Sequence, residues 1–249
     1  MSRAKLVAGR LLRVHGAHRP SPSLFHYSGL TSRPWHDRSS AWAADWLPAI
    51  EAATPAIAEE YVRVRATGRP SDYRVADSDH AGGLHSDPHD WHWASLIDRG
   101  QIKPDMWTLC PATAAALKAV PRLCIGDMPF SFAFFSTLRA KSRIAAHTAP
   151  ANLRLRVHLP LIVPTAAPGA CGIRVADETR KWEVGKALIF DDAFEHEVWN
   201  ETESDRVVLL FDLWHPDLSD AEIDAIQEMF REVQRMSDQR AATPPSSEG

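Results

Sequence analysis

The stretch IAAHTAPANLRLRVHLPL, residues 144–161, carries side chains whose types and spacing could do metal chemistry. His147 is followed by Thr148 and Ala149, and a strand-like segment with two arginines and a second histidine comes next. Non-haem iron sites commonly combine two histidines with one carboxylate, often as a His-x-Asp or His-x-Glu pair. Ala149 stands where that carboxylate would be. The stretch therefore either binds no metal or binds one without the carboxylate.

A second histidine and an arginine complete a possible site further along the chain. His196 lies in FDDAFEHEVWN, and Arg206 begins RVVLLFDLW on the next strand of an apparent hairpin. With His147 at the entry to one strand and His196 at the entry to a facing one, two imidazoles can converge on one metal. An arginine deeper in the same barrel could form a bidentate contact with the far carboxylate of a short dicarboxylic acid. Because a buried arginine needs an anionic partner, a salt bridge with Asp191 or Asp192 explains Arg206 equally well.

The segment HSDPHDWHW, residues 85–93, contains a literal His-x-Asp at His85 and Asp87, with His89 and His92 nearby. Taken alone, these residues could form the iron site with two histidines and one carboxylate. The surrounding Pro, Gly and Asp residues instead predict a long loop over 66–92, without a strand to hold ligands rigidly. A solvated polar loop is the favoured interpretation.

The remaining sequence supplies the elements that must position these side chains. A helical pattern runs from Ser40 to about Arg65 and is divided by Pro48 and Pro55, and a short helix is predicted over 112–120. After residue 218 the chain returns to helix, with Ser219 and Glu222 as a capping box. One apolar stripe is predicted along this last helix: Ile223, Ile226, Phe230 and Val233.

From about residue 130 to 214 the chain consists of short segments rich in β-branched and aromatic residues, separated by turn residues. Such spacing predicts an antiparallel sandwich or jelly-roll barrel, and so a mainly β fold with flanking α-helices. Phe134, Phe190 and Trp199 either line its pocket or belong to its core. The segments are SFAFFSTL, LRLRVHLPLIV, CGIRVAD, ALIFDD, HEVWN and VVLLFDLW.

Composition excludes several classes of protein. A net charge of −4 gives no electrostatic case for binding nucleic acid, and no run is long and apolar enough for a transmembrane segment. Three cysteines without a C-x-x-C pair indicate reduced thiols. A cytoplasmic location is expected, although the basic, acid-poor residues 1–33 are typical of an organelle presequence as well as of a disordered leader.

Three stretches in order carry a family resemblance: HTAPANLRLRVHLPLIVP, CGIRVADETRKWEVGKALIFDDAFEHEVWN and DRVVLLFDLWHPDL. Together they resemble the aspartyl/asparaginyl β-hydroxylase family of Fe(II)- and 2-oxoglutarate-dependent oxygenases. The resemblance covers residues 130–218 and extends more weakly upstream. It implies a double-stranded β-helix, which is a jelly-roll, cupin-like fold. Four parts are expected: a basic irregular leader (1–33), one oxygenase domain (34–218), a C-terminal helix (219–240) and a disordered tail (241–249).

The resemblance also implies roles for the residues near the expected iron. Members of this family have a small residue where other oxygenases carry the carboxylate ligand, and Ala149 matches it. The implied metal ligands are His147 and His196. Arg206 matches the arginine that binds the distal carboxylate of 2-oxoglutarate, and Ser136 matches the serine that assists it.

Arg154, Arg156 and His158 are each two residues apart, so period-two alternation places them on one face of a strand. By resemblance, Arg156 and His158 approach the C1 carboxylate of 2-oxoglutarate, and Arg154 faces the prime substrate. Asp192 matches an acid that orients the imidazole of His196.

The implied reaction consumes Fe(II)-bound 2-oxoglutarate and O2, hydroxylates an unactivated C–H bond, at the β-carbon by analogy, and releases succinate and CO2. The substrate would be amino-acid-like, peptidyl or otherwise carboxylate-bearing, whereas the oligomeric state stays open. Two alternatives remain. His-Thr-Ala also resembles the metal site of 2-oxoglutarate-dependent halogenases, and a catalytically silent β-helix could bind a small acid or a protein partner.

Overall fold

Two antiparallel sheets lie at the centre of the computed structural model, which describes residues 6–8, 20–73, 84, 87, 89–164 and 167–242. Its strands are β1 (Leu6–Ala8), β2 (Phe25–Tyr27), β3 (Trp35–His36), β4 (Trp91–Asp98), β5 (Gln101–Ile102), β6 (Ala133–Leu138), β7 (Ser142–His147), β8 (Arg154–Ile162), β9 (Cys171–Val175), β10 (Glu178–Arg180), β11 (Leu188–Phe190), β12 (His196–Asn200) and β13 (Arg206–Trp214). Its helices are α1 (Ala41–Ala44), α2 (Leu47–Ala52), α3 (Thr54–Ala66), α4 (Pro104–Leu109), α5 (Pro111–Lys118) and α6 (Asp220–Ala242).

The larger sheet has the strand order β3-β11-β8-β13-β6-β4-β5, and the smaller has the order β10-β9-β12-β7. Apolar residues of both sheets share one buried cluster, so the sheets face each other: Phe134, Val208 and Leu210 come from the larger, and Ile173, Val175 and Val198 from the smaller. Two facing antiparallel sheets of this topology form a double-stranded β-helix. The predicted fold class is therefore confirmed.

Strand β8 has two different faces. Leu155, Val157 and Leu159 point outward and pack with the helices in a second buried cluster. Arg154 and His158 are also buried, at 2% and 4% exposure, but alternation turns them toward the space between the sheets. The strand thus presents a polar row to the interior while its apolar row anchors the helical layer.

The helical layer covers the outside of the larger sheet. Pro48 and Pro55 lie in the first turns of α2 and α3, as the sequence predicts. Buried Glu60 of α3 accepts hydrogen bonds from the backbone N–H groups of Ala112 and Thr113, so its carboxylate satisfies donors at the start of α5.

Helix α6 packs against a third apolar cluster through three of the four residues of its predicted stripe: Ile223, Ile226 and Phe230. The fourth, Val233, is 56% exposed, so including it in the stripe is wrong. The capping box is confirmed, because the Ser219 hydroxyl donates to Glu222 at 2.8 Å and the Glu222 backbone N–H donates back to Ser219 at 3.3 Å.

Three local expectations are wrong. His147 ends β7 instead of entering a strand, and the two residues assigned to the end of a loop, Trp91 and His92, begin β4. Strands β12 and β13 do not form a hairpin, since β12 pairs with β7 and β9 while β13 pairs with β6 and β8. Their connection crosses from one sheet to the other.

Two further expectations can be compared with the structure. The three cysteines are free thiols, and in the described part of the chain no helix is both long and apolar enough to span a membrane. The limits of the four predicted parts stay predictions, although β2 lies within the proposed leader and α6 continues to Ala242. Residues 243–249 lie outside the described residues.

Candidate active site

His147 and His196 meet between neighbouring strands of the smaller sheet. They are direct partners in the register of β7 and β12, and their ring centroids are 4.1 Å apart at an interplanar angle of 50°. A β-bulge follows immediately, between His196 and Val198. The two imidazoles are therefore close enough to share one ion.

The backbone fixes which nitrogen of each ring carries the proton. Nδ1 of His147 lies 2.8 Å from the carbonyl oxygen of Ala145, and Nδ1 of His196 lies 3.0 Å from that of Phe194. Since a carbonyl can only accept, both Nδ1 atoms donate and the ring lone pairs are on Nε2. Both rings thus hold the tautomer that binds a metal through Nε2.

Both rings are kept neutral. Removal from water, together with the neighbouring His196, lowers the pKa of His147 well below its ordinary value. Burial also lowers the pKa of His196, although the charge of Asp192 opposes the shift. Neutral imidazole is the form that coordinates metals, so neither ring would have to lose a proton to bind an ion at neutral pH.

Arg206 is a buried cation without a carboxylate partner among the described residues. Its side chain is 1% exposed, and its Nε has no hydrogen-bond partner there. One Nη donates to Ser136, at 3.3 Å to the carbonyl oxygen and 3.4 Å to the hydroxyl. The predicted alternative of a salt bridge with Asp191 or Asp192 is not formed. Burial lowers the pKa of Arg206 to about 10.

The face of Trp182 partly offsets the cost of burying Arg206, whose guanidinium carbon lies 4.6 Å from the ring centroid. A desolvated cation–π contact stabilises by about 2 kcal/mol, whereas burying a charge costs several kcal/mol. The part of the burial cost that the cation–π contact does not offset destabilises the protein without a ligand. An anion bound beside Arg206 would compensate this cost.

His158 faces the same region from β8. Its Nδ1 accepts a hydrogen bond from the indole N–H of Trp182 at 3.4 Å, so the proton of this ring is on Nε2. That Nε2–H is buried and has no partner within the described residues. Burial, and then the charge of Arg206, lower the pKa of His158 well below its ordinary value. The ring is thus neutral, and its Nε2–H can donate a hydrogen bond to a bound ligand.

Arg154 and Arg156 differ from Arg206, because both are paired. Nη1 of Arg154 donates to Asp192 at 2.8 Å and to Asp212 at 3.0 Å. Arg156 makes a two-point contact with Asp212, at 2.9 and 3.1 Å, and a third contact with Asp192 at 3.0 Å. Two cations and two anions form one buried network, so these charges compensate each other.

The ion pairs of this network bear on the roles that are predicted for Asp192 and Arg154. Although burial opposes ionisation, Arg154 and Arg156 hold the pKa of Asp192 below its ordinary value. Its Oδ1 has no partner in the described part of the chain, and His196 is oriented by a backbone carbonyl instead. Contact between Arg154 and a substrate carboxylate would have to compete with two existing ion pairs. Both roles stay predictions.

Three residues of the histidine-rich segment lie outside the described residues, so its interpretation as a solvated loop stays a prediction. His85, Ser86 and Pro88 lie outside the described residues, and Nε2 of His92 contacts the carbonyl oxygen of Arg69 at 3.3 Å. Over the ranges that the structure describes, no group of three or more His, Cys, Asp or Glu residues could hold a metal ion.

Two residues that the sequence did not single out complete the site. Asp212 is fully buried in β13 and accepts from both paired arginines, and Trp182 touches both His158 and Arg206. Two-residue alternation from Arg206 could have indicated that Asp212 faces inward. No comparable signal marks Trp182, which lies in an irregular connection between β10 and β11.

Fold and site together define a jelly-roll protein with paired imidazoles on one sheet and, on the other, a buried arginine without a carboxylate partner among the described residues. The chain belongs to the aspartyl/asparaginyl β-hydroxylase family, whose model matches residues 51–216. This family is the one that the sequence motifs resemble, so that prediction is confirmed.

Relatives of known name agree with the family assignment. The aspartyl/asparaginyl β-hydroxylase of Homo sapiens is 31% identical over 214 residues, which are 83% of this chain and 26% of the human protein. The ornithine lipid ester-linked acyl 2-hydroxylase of Rhizobium tropici is 35% identical over 193 residues, 76% of this chain and 63% of that protein. The chain thus spans about a quarter of the human enzyme.

Solved structures give a weaker likeness. A prolyl-4-hydroxylase from Pseudomonas putida aligns with 66% of this chain and 86% of its own, at 16% identity and a TM-score of 0.41. A 2OG-Fe(II) oxygenase family oxidoreductase from Burkholderia pseudomallei aligns with 59% of this chain and 93% of its own, at 14% identity and a TM-score of 0.37.

Proposed function

We propose that this protein is an Fe(II)- and 2-oxoglutarate-dependent dioxygenase that hydroxylates an unactivated C–H bond and releases succinate and CO2. The observation that carries the proposal is the buried cation Arg206, which has no carboxylate partner among the described residues, together with the Nε2–H of His158, which has no partner there either. Both lie on the larger sheet, which faces the sheet that holds the paired imidazoles. A ligand with carboxylates would satisfy these donors.

The residues fit the metal that the family implies. His147 and His196 would hold Fe(II) through Nε2, because both Nδ1 atoms donate to backbone carbonyls. Ala149, at 4% exposure, supplies a methyl group where a third ligand would otherwise lie. Bound iron supplies the redox chemistry that couples O2 and 2-oxoglutarate to C–H hydroxylation.

The residues also fit the cosubstrate. Arg206 and Ser136 would bind the distal carboxylate, and His158 would donate its Nε2–H to the C1 carboxylate. Arg156 would reach the same end only by exchanging one of its contacts with Asp192 or Asp212, and its side chain is more exposed than that of Arg154, at 12% against 2%. Bound anion and buried cation would form a charge-assisted contact where water is excluded.

Aromatic side chains separate this pocket from solvent. Phe190 lies between the proposed ligand groups, with its ring 4.9 Å from that of His158 and 5.9 Å from that of His196. Phe134 is buried in the same cluster. These rings would keep water away from the reacting groups.

The prime substrate is proposed as an amino-acid-like, peptidyl or other carboxylate-bearing molecule. The names of the human and Rhizobium tropici relatives, a β-hydroxylase of aspartyl and asparaginyl groups and an acyl 2-hydroxylase of an ornithine lipid, both fit hydroxylation at a carbon near a carbonyl or carboxylate. Arg154 would contact this substrate only by exchanging one of its carboxylate partners.

Turnover of 2-oxoglutarate tests the proposal. The purified protein is supplied with Fe(II), 2-oxoglutarate, O2 and a panel of free amino acids, acyl-amino acids and peptides, and succinate and product mass are measured. We expect substrate-dependent succinate and a product heavier by one oxygen atom. His147→Ala should abolish both signals, because one of two ligands is lost.

The matched control is His89→Ala, which removes an exposed imidazole of the histidine-rich segment. We expect normal turnover from this variant. Normal turnover by His147→Ala, or loss of turnover in His89→Ala, would contradict the proposed metal site and move it to residues 85–93.

A further inference from the structure

Trp182 occupies a central place beside the proposed cosubstrate pocket. Its side chain is 3% exposed and belongs to the apolar cluster between the sheets. The indole N–H donates to Nδ1 of His158, while the ring face lies against the guanidinium of Arg206. A single side chain therefore contacts two buried groups, His158 and Arg206, that each have a polar atom without a partner within the described residues.

We propose that Trp182 is a positioning residue for the binding of 2-oxoglutarate, an inference that rests on the proposed function. Its first task is to set the tautomer of His158. Because the indole N–H must donate, it requires the lone pair of His158 on Nδ1 and places the proton on Nε2. Without that donor both tautomers of the ring become accessible, and one of them turns a lone pair toward the anion.

The second task concerns Arg206. The ring face of Trp182 attracts the guanidinium, and the Ser136 contacts hold one Nη, so the cation stays in place before an anion arrives. A preorganised cation loses less conformational freedom on binding. The ring of Trp182 also lies nearly parallel to that of His158, at 29° and 6.1 Å between centroids.

Packing alone does not account for these contacts. Trp46 offers the comparison, because it is equally buried at 4% and its indole N–H also donates, to the carbonyl oxygen of Trp42 at 2.9 Å. Trp46 packs in the cluster under the helices, where its ring contacts Trp42 and Phe211. The two residues share burial and hydrogen bonding and differ in what they contact.

The test compares Trp182→Phe with Trp46→Phe, which remove the same atoms from different clusters. Binding of 2-oxoglutarate is measured by calorimetry on the full chain with Mn(II), so that no turnover is needed. We expect Trp182→Phe to weaken binding about tenfold, which corresponds to about 1.4 kcal/mol. Trp46→Phe should bind as the wild type does.

Trp182→Leu separates the two tasks. Phenylalanine keeps a ring face for Arg206 and loses only the N–H, whereas leucine loses both contacts. We expect Trp182→Leu to bind 2-oxoglutarate more weakly than Trp182→Phe. Equal affinity of the two variants would remove the Arg206 task from the proposal.

A spectroscopic measurement on the wild-type protein keeps the proposal falsifiable if the variants do not fold. Two-bond ¹H–¹⁵N correlations of the histidine rings report which nitrogen carries the proton, and His158→Gln identifies the signal. We expect the Nε2–H tautomer in the wild type and a mixture in Trp182→Phe. Finding Nδ1–H in the wild type would overturn the inference.

The outcomes for the two proposals differ. Wild-type protein that fails to bind 2-oxoglutarate with Mn(II) would contradict the proposed function and, with it, the role of Trp182. Wild-type affinity in Trp182→Phe would overturn the first task, and wild-type affinity in both Trp182→Phe and Trp182→Leu would overturn the role of Trp182 while leaving the proposed function intact.

Discussion

Two kinds of buried arginine lie between the sheets. Arg154 and Arg156 share two carboxylates, Asp192 and Asp212, in a network of contacts between 2.8 and 3.1 Å. Arg206 is as buried as Arg154, but its neighbours are a serine, an indole ring and a histidine whose own donor lacks a partner among the described residues. The charges of the first environment compensate each other without a ligand, whereas the charge of Arg206 is not compensated within the described residues.

The difference separates stability from function. In a compensated pair, each charge replaces the water that would otherwise stabilise the other. Removing one charge therefore leaves a buried ion unpaired. A buried cation without an anion instead lowers the stability of the empty protein and can recover that free energy on binding. Residues of the first kind should therefore report on folding, and residues of the second kind on affinity.

The largest expected effect is on folding. Arg154→Met leaves Asp192 and Asp212 with one arginine between them, and we expect the free energy of unfolding to fall by about 3–5 kcal/mol. Chemical denaturation with urea measures it. The control is Arg231→Met, which also removes contacts to two carboxylates, Asp127 and Glu228, but from a side chain that is 57% exposed.

Such exposed pairs contribute at most ~1 kcal/mol, so Arg231→Met should change stability little. A similar loss in both variants would show that burial does not distinguish the two networks and would break the comparison.

The next largest effect should be on the affinity for 2-oxoglutarate and not on stability. Arg206→Met removes an uncompensated buried cation, so we expect no loss of unfolding free energy. Affinity for 2-oxoglutarate, measured by calorimetry with Mn(II), should fall by about 2–3 kcal/mol, or roughly 30- to 150-fold. A variant that unfolds readily and yet binds normally would show that Arg206 is a structural residue.

A smaller change tests whether Asp212 belongs to the compensated network. Asp212→Asn keeps the shape of the side chain but weakens three contacts from the two arginines, and we expect a loss of about 1–3 kcal/mol. Combining it with Arg154→Met should cost less than the sum, because the two residues are in contact. Additive losses would contradict the network.

The smallest effect, when measured over a single pH unit, is at most ~1.4 kcal/mol and concerns the acids. Asp191 and Asp192 are adjacent and buried, but Asp191 has no arginine contact, and burial raises its pKa to about 8. Between pH 4 and about 8 the folded state therefore holds one more proton than the unfolded state, and stability falls as pH rises through this window.

Asp191→Asn should remove that slope and be more stable than the wild type near pH 8. Urea denaturation across the window checks it. An unchanged slope in the variant would assign the pH dependence to another group.

Segment composition and the family resemblance predicted the fold, and period-two alternation predicted which residues of β8 share a face. Arg154, Arg156 and His158 face inward as expected, and the chemistry of their partners follows from that row. What the pattern could not supply is pairing between distant strands. Asp212 reaches Arg156 across β8 and β13, and the crossing from β12 to the other sheet looks like a hairpin in sequence.

Trp182 was missed for a related reason. It lies in an irregular connection, where no period relates a side chain to the interior, and its importance comes only from the two residues it touches. The exposed Val233 was misassigned because a helical stripe predicts a face but not how far the protein body extends beneath it.

Each of the paired histidines finds its orienting acceptor two residues back along its own chain, at Ala145 for His147 and at Phe194 for His196. Each ring takes its direction from a carbonyl group of its own chain segment, so the spacing between the two rings follows the register of β7 and β12. Inserting a single residue into β7, however, would turn His147 to the opposite face and dismantle the centre in one step.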